Sequence, residues 1–354
     1  MTWRPLLDGA EAVAARATVS RIADAIAADP PARAELANGA AGAAVLFAYL
    51  ARDEPRRRPT CDRLLAQAED QLGTLATPSL FHGFCGVGWA GDHIRGVFGE
   101  RDLEVNSELD DALEEIIPKA NLSFDLIGGL VGIGVYARER EAARVQARVI
   151  DRLHDAARDQ LFVPVGHLPA SEHAMWPTGR WDLGLAHGTP GVIAWLAQVA
   201  EPCESAIGWL LAHRQTGEVA FPAFAAPNMP AGSARSGWCY GDAAIALALS
   251  YAGRTELALE IARHAARRPR EHTGVVDATF CHGAAGLAQI YGRLHAVTGD
   301  AELAGAARYW LGETLRLEHG TAQGILDGAA GVALVLHAAT STHAPAWDRA
   351  FLLA

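Results

Sequence analysis

Two cysteines and a histidine lie next to glycines in two short segments of the chain, SGWCYGD and CHGAAG. Cys239 lies two residues before Gly241, Cys281 lies two residues before Gly283, and His282 directly precedes Gly283. Thiolates and imidazoles are the ligands that zinc prefers in proteins. An adjacent cysteine and histidine reach one ion only where the backbone turns sharply, and a glycine allows such a turn. These residues indicate a metal site, provided that the two segments lie side by side.

The two segments are units of a repeat that extends along the chain. Seven glycines, each followed by an apolar stretch such as NGAAGAAVLFAYL or LDGAAGVALVLHAA, occur 42 to 59 residues apart. A recurring period of this length is typical of stacked supersecondary units. The seven are Gly39, Gly83, Gly129, Gly188, Gly241, Gly283 and Gly328.

Two kinds of helix alternate in this repeat. The stretches after the glycines are apolar nearly all round, which predicts inner helices that are buried on every side. The stretches between them, such as ELALEIARHAARR, are apolar along one stripe and predict outer helices with an exposed face. Strongly apolar inner helices favour closure into a ring over an open array. We therefore predict an all-α protein, an α/α toroid of seven helical hairpins that forms a single domain over residues 1–354.

Two insertions lengthen the repeat. The residues around 159–181 and around 214–236 are rich in proline, glycine and aromatic residues, and this composition predicts long loops. Loops of this length within a compact domain are commonly functional. Both lead directly into a glycine turn that carries a reactive residue. Strand patterns are weak throughout the chain.

Residues that share a place in the repeat should lie at the same end of the ring. Cys239 and Cys281 occupy equivalent places in neighbouring units, and His187 and His282 each precede a glycine by one residue. Asp125 lies a few residues before the third glycine. The shared phase predicts a zinc ion held by Cys239, Cys281 and His282, with the fourth position open for chemistry. The alternative is that both cysteines are inert core residues, the commonest fate of a buried thiol.

Other residues near these turns have simpler explanations. On position alone, His187 and Asp125 are better explained as capping or hydrogen-bonding residues at a helix start. Cys85 and His82 share the turn FHGFCG, but the cysteine follows the glycine and is out of phase, so we assign both residues structural roles. Three tryptophans near the turns are assigned to packing, with peptide contacts as the alternative. They are Trp176, Trp181 and Trp238.

Composition argues against several classes of function. The net charge is −11 and Lys119 is the only lysine, so the chain lacks the basic stripe that nucleic-acid binding requires. Five cysteines at irregular spacing do not suggest a disulfide framework, and we expect reduced thiols. The first residues lack the features of a signal peptide, and no apolar run reaches the length of a membrane span. We therefore expect a cytoplasmic protein.

The motifs GLAHGTPG (184–191), SGWCYGD (236–242) and CHGAAG (281–286) together resemble the lanthionine synthetase C-like family, the cyclases of lanthipeptide biosynthesis. The resemblance covers nearly the whole chain, because the seven glycine turns recur in the α/α toroid of that family. WCYG followed some forty residues later by CHG is its most specific signature. One departure is Ala244, which stands where the family more often has a second glycine, and we expect it to affect helix packing rather than chemistry.

The resemblance also implies roles for individual residues. It implies that Cys239, Cys281 and His282 bind zinc and that His187 serves as the acid/base. The remaining matches to the family's active centre are Asp125, Arg235 and Tyr240.

The activity that the resemblance implies is the intramolecular addition of cysteine thiols to dehydroalanine or dehydrobutyrine, which forms lanthionine and methyllanthionine rings. The implied partners are a dehydrated precursor peptide with its leader, a dehydratase and a transporter. Two alternatives stay open at this point. One is an enzyme that adds glutathione or another free thiol to dehydroamino acids in proteins. The other is a non-catalytic toroid in which zinc staples a peptide-binding module, although intact His187 and Asp125 argue against it.

Overall fold

Each of the seven predicted glycines caps an inner helix that begins at the next residue. The computed structural model describes residues 3–158, 160–230 and 232–354. Positions 1 and 2 of the predicted domain, and positions 159 and 231 of the two predicted loops, lie outside the described residues. Most residues of the inner helices are buried, as their all-round apolar sequences predict. The inner helices are α2 (Ala40–Asp53), α4 (Phe84–Phe98), α6 (Leu130–Arg140), α8 (Thr189–Gln198), α10 (Asp242–Tyr251), α12 (Ala284–Thr298) and α14 (Ala329–Thr340).

Within the described residues, seven outer helices alternate with the inner ones. They are α1 (Gly9–Ala28), α3 (Arg58–Asp70), α5 (Ser107–Lys119), α7 (Ala143–Arg158), α9 (Glu204–Ala212), α11 (Thr255–Ala266) and α13 (Ala301–Arg316). In α7 the buried residues Val145, Val149 and Leu153 are spaced four apart, so a single stripe faces the inner ring. No helix in the described ranges combines the length and the apolar character needed to cross a membrane.

A circle of backbone hydrogen bonds joins the seven turns at one end of the ring. The N–H of Ala37 donates to the carbonyl of Phe81 at 2.9 Å, and the N–H of Leu326 closes the circle by donating to Ala37 at 3.1 Å. At the seam, α14 packs against both α1 and α2. The predicted α/α toroid is confirmed, and its closure supports our proposal of a single domain. The other donor and acceptor pairs of the circle are Phe81 to Ile127, Leu126 to Ala186, Ala186 to Cys239, Cys239 to Cys281 and Cys281 to Leu326.

The fifth turn follows a different path from the other six. Its glycine, Gly241, has a φ of 131°, whereas the other capping glycines have φ values between −102° and −133°. In those six turns a second glycine is needed, because a Cβ there would lie 1.9 to 2.3 Å from the backbone oxygen six residues earlier. Ala244 occupies the second-glycine position in the fifth turn, where the altered path accommodates its methyl group. The replacement of the family's second glycine by Ala244 therefore concerns local packing.

The segment after α14 fills the centre of the ring beneath the turns. A 3₁₀ helix runs over Ala346–Phe351, and the ring of Phe351 lies 4.0 Å from that of Phe280, 5.1 Å from that of Trp238 and 5.4 Å from that of Phe81. These three side chains come from the sixth, fifth and second turns, so Phe351 lies near the axis. The rim that carries the reactive residues is therefore supported by an apolar aromatic floor.

A small antiparallel sheet connects the two insertions. Its strands are β1 (Val163–Pro164), β2 (Gly179–Asp182) and β3 (Phe224–Ala225), in the order β1-β2-β3. Val163 pairs with Arg180, and Asp182 pairs with Phe224. The predicted long loops therefore contain strands that the sequence analysis did not locate, because strands of two to four residues are too short to leave an alternating sequence pattern. The sheet holds both insertions over the rim near the fourth and fifth turns.

Candidate active site

Cys239, Cys281 and His282 converge at the rim formed by the glycine turns. One ligand atom from each side chain lies within 4.8 Å of the other two. The backbone N–H of Cys239 donates to the carbonyl of Cys281 at 3.1 Å and holds the two turns together. Cys239 is buried, whereas Cys281 and His282 are half-buried, so the group is open on one side. Elsewhere in the described part of the chain, no group of three His, Cys, Asp or Glu side chains comes as close together.

The two thiols interact strongly with each other. Their shared hydrogen bond lowers the pKa of Cys239 and raises the pKa of Cys281, because the Cys239 thiolate accepts a hydrogen bond from the protonated Cys281 thiol. Burial opposes ionisation of both thiols, and the positive charges of Arg235 and His187 favour the thiolate at Cys239. A cation at this position would stabilise the second thiolate as well. Two sulfurs and an imidazole form a donor set that fits zinc.

His187 and Asp125 form a hydrogen-bonded pair at the same rim. His187 Nδ1 lies 2.9 Å from Asp125 Oδ2. The other carboxylate oxygen accepts the hydroxyl of Ser123 at 2.7 Å and the backbone N–H of Gly128 at 3.2 Å, so the carboxylate is held in place. Burial opposes the charged imidazole, but the hydrogen bond and charge of Asp125, with the charges of Asp182 and Cys239, raise the pKa of His187. The pair resembles the base and its orienting carboxylate in many acid/base sites.

Tyr240, the residue after Cys239, contacts both His187 and Asp182. Its ring stacks on that of His187 with centroids 6.1 Å apart, and its hydroxyl donates to Asp182 Oδ1 at 2.6 Å. Asp182 is 4% exposed and also accepts from Arg180 Nε at 3.2 Å. Burial raises the pKa of Tyr240, and the negative charge of Asp182 raises it further, so the phenol keeps its proton. Sequence reasoning did not identify Asp182 or Arg180 as site residues.

Arg235 is exposed at the edge of the site. It lines a cavity of about 480 Å³ together with Cys239, Tyr240 and Phe224. Its charge lowers the pKa of Cys239, which places the guanidinium within electrostatic range of the thiols. The structure therefore brings all seven predicted site residues to one rim, although Arg235 stands at its periphery.

Comparison with known proteins identifies the family. The family model described as lanthionine synthetase C-like protein matches residues 30–352. The chain belongs to the lanthionine synthetase C-like family. A search of curated proteins gave no match. Among solved structures, a chain described as nisin cyclase aligns with a TM-score of 0.80 and 22% sequence identity, over 96% of this chain and 97% of that one. This likeness shows that the two chains share the toroid fold.

A large cavity of this family member lies beside His187. It has a volume of about 1450 Å³ and extends from His187 and Asp125 to the sheet and the two insertions. Its lining is largely apolar and includes the aromatic residues Trp176, Trp181 and Phe224. Tyr240 and Phe224 line both this cavity and the smaller one beside Arg235. The two cavities therefore adjoin at these two side chains.

The residues that we assigned structural roles divide into two groups. Cys85 is fully buried in the core, and Trp238 is buried with its indole N–H donating to the carbonyl of Phe351 at 2.9 Å. His82, in contrast, is exposed at the rim. Trp176 and Trp181 pack against other aromatic side chains and also line the large cavity, so peptide contacts stay a prediction for them.

Proposed function

We propose that this chain is a zinc-dependent lanthipeptide cyclase. It would close (methyl)lanthionine rings by intramolecular addition of cysteine thiols to dehydroalanine or dehydrobutyrine. One observation carries the proposal. The cluster of Cys239, Cys281 and His282 lies on the same rim of a lanthionine synthetase C-like toroid as the hydrogen-bonded His187 and Asp125.

In this proposal Cys239, Cys281 and His282 hold the metal. Three protein ligands leave one position for a substrate sulfur. When bound, zinc supplies positive charge that keeps a substrate thiol deprotonated near neutral pH. The half-buried Cys281 and His282 face the open side of the cluster, so a peptide side chain has access to it.

The remaining steps rest on the chain's own residues. The substrate thiolate adds to the β-carbon of the dehydroamino acid, and the electron pair of the double bond passes to the α-carbon and the adjacent carbonyl as an enolate. Protonation of the α-carbon completes the thioether. His187 donates that proton, since its pKa is raised and an imidazole suits general acid chemistry near neutrality. The proton released by the thiol balances the one consumed.

Asp125, Arg235 and Tyr240 assist in this scheme. Asp125 orients the imidazole through Nδ1 and leaves Nε2 directed to the substrate. Arg235 stabilises the negative charge of the enolate oxygen. Tyr240 stays protonated and donates its hydroxyl hydrogen to Asp182, so in this scheme it is a positioning residue and not an acid.

The size of the large cavity favours a peptide substrate. A pocket for a small molecule typically measures about 300 to 1,000 Å³, and the cavity beside His187 measures about 1450 Å³. It therefore has room for several residues of a dehydrated precursor, and its aromatic lining suits apolar side chains. A leader peptide, a dehydratase and a transporter remain proposed partners. All five cysteines are free thiols, in keeping with a proposed cytoplasmic location.

One experiment separates this proposal from its two alternatives. The purified protein is incubated with a dehydrated precursor peptide and glutathione, and free thiols are then alkylated before mass spectrometry. A cyclase removes alkylatable thiols from the peptide without changing its mass. A glutathione-adding enzyme increases the peptide mass by one glutathione for each addition. A non-catalytic binding module does neither, and either of the last two results would contradict the proposal.

A further inference from the structure

The imidazole of His282 lies between two carboxylates. Its Nε2 is 3.7 Å from Asp277 Oδ2, and its Nδ1 is 3.9 Å from Asp327 Oδ1. Neither residue belongs to the ligand set or to the acid/base pair. A metal-ligating histidine usually donates its second ring N–H to an acceptor, which fixes the tautomer and the ring orientation. The two carboxylates are the candidates for that acceptor.

Asp277 and Asp327 approach different nitrogens of the same ring. Only one of these nitrogens can carry the N–H, because the other must be free to bind the metal. The acceptor is therefore the carboxylate that the surrounding turn holds toward the ring.

Asp277 is held in the orientation that this contact requires. Its Oδ1 accepts the backbone N–H of Thr279 at 2.8 Å and the Thr279 hydroxyl at 2.6 Å, which leaves Oδ2 for the imidazole. A Cβ at position 283 would lie 2.4 Å from Asp277 Oδ1, so Gly283 makes room for the carboxylate. Asp277 and His282 thus belong to one rigid turn. The gap of 3.7 Å is about 0.5 Å longer than a normal N–H···O bond.

We propose that Asp277 is the positioning residue of the metal centre: it accepts the Nε2–H of His282 and thereby presents Nδ1 to the metal. This inference rests on the proposed metal site and adds to it the tautomer of the ligand and the residue that sets it. Asp277 occupies the same place in the repeat as Asp182, six residues before the glycine. In the fourth unit Asp182 accepts the hydroxyl of Tyr240, and in the sixth Asp277 faces His282.

The test measures zinc affinity by competition with a chromophoric chelator. Asp277→Asn keeps the acceptor for Thr279 but turns an amide N–H toward Nε2–H, so zinc should bind about 10 to 100 times more weakly. Thr279→Val, which removes one anchor of the carboxylate, should weaken zinc binding in the same direction but less. Asp53→Asn is the matched control, because it removes a carboxylate that lies 2.9 Å from another histidine, His337, at the opposite end of the inner helices, and its zinc affinity should equal that of the wild type.

A second measurement reads the tautomer directly. Long-range ¹H–¹⁵N spectra of the zinc-loaded wild type should show one histidine with a metal-bound Nδ1 and a protonated Nε2. Wild-type zinc affinity in Asp277→Asn, an equal loss in Asp53→Asn, or a metal-bound Nε2 would each overturn the inference. If the wild type itself binds no zinc, the proposed metal site fails first, and that result is distinct from the other three.

Discussion

His187 Nδ1 and Asp125 Oδ2 lie 2.9 Å apart although the two residues are 62 positions apart in the chain. The third and fourth turns bring them together, and the hydrogen bond from Leu126 N to Ala186 O at 3.0 Å fixes the backbone directly beside them. The carboxylate determines which ring nitrogen remains available to a substrate. The pair is therefore a built feature of the toroid rim, and its function can be tested separately from that of the thiols.

Replacement of His187 should slow ring closure without loss of metal. His187→Asn removes the proton donor, and losing general acid catalysis typically costs about 10² to 10⁴-fold in rate. The assay traps uncyclised cysteine thiols in a dehydrated precursor and follows their number by mass spectrometry over time. Zinc content and peptide affinity should match those of the wild type. Near-normal ring closure would mean that the histidine is only a helix-start residue.

Asp125→Asn should act in the same direction as His187→Asn, but less strongly. The amide cannot hold the imidazole in the same tautomer or stabilise its charged form, so the pKa of His187 should fall toward its usual value. Activity should consequently decline at a lower pH than in the wild type, since a general acid must be protonated to act. A pH profile of ring closure that coincides with the wild-type profile would contradict this role.

Zinc binding should require both Cys239 and Cys281. We expect one zinc per chain in the wild type and none in Cys239→Ala or Cys281→Ala, because two remaining ligands do not hold the ion. Cys203→Ala is the control, since Cys203 is also largely buried but precedes the outer helix α9. Elemental analysis of the purified variants provides the measurement. Full zinc occupancy in either of the first two variants would refute the ligand set.

Acid stability should depend on Glu139 at the other end of the inner ring. Burial opposes its charge, but His93 at 3.0 Å and Arg349 outweigh that effect and lower the pKa of Glu139 from 4.5 to about 2. A carboxyl group with a depressed pKa stabilises the folded state above its unfolded pKa, and that contribution is lost as the pH falls from 4.5 toward 2. Between pH 6 and pH 3 the wild type should therefore lose roughly 2 kcal/mol more unfolding free energy than Glu139→Gln.

Urea unfolding at the two pH values measures that difference. Glu115→Gln serves as the control, because the Glu115 side chain is 80% exposed and pairs only with the exposed Lys119 at 3.7 Å. It should lose as much stability as the wild type. An equal loss in Glu139→Gln would show that Glu139 is not ionised preferentially in the folded state.

Periodicity in the sequence was sufficient to predict the fold and the phase of the reactive residues. The inner helices are apolar on all sides, so their starts coincide with the seven glycines, and repeat phase alone predicted that Cys239 and Cys281 would adjoin. The hydrogen bond between Tyr240 and Asp182 was not predicted, because it depends on how β2 lies over the rim. The position of Phe351 at the ring axis was also missed, since its partners lie in three distant turns and no local pattern encodes such contacts.

Metal removal and restoration test the central claim most directly. The protein is stripped with a chelator, and ring closure in a dehydrated precursor peptide is measured by thiol alkylation and mass spectrometry, before and after zinc is added back. We predict that ring closure stops in the stripped protein and returns with one equivalent of zinc, whereas magnesium does not restore it because thiolate and imidazole ligands select zinc. Ring closure at an unchanged rate in the stripped protein would contradict a zinc-dependent cyclase.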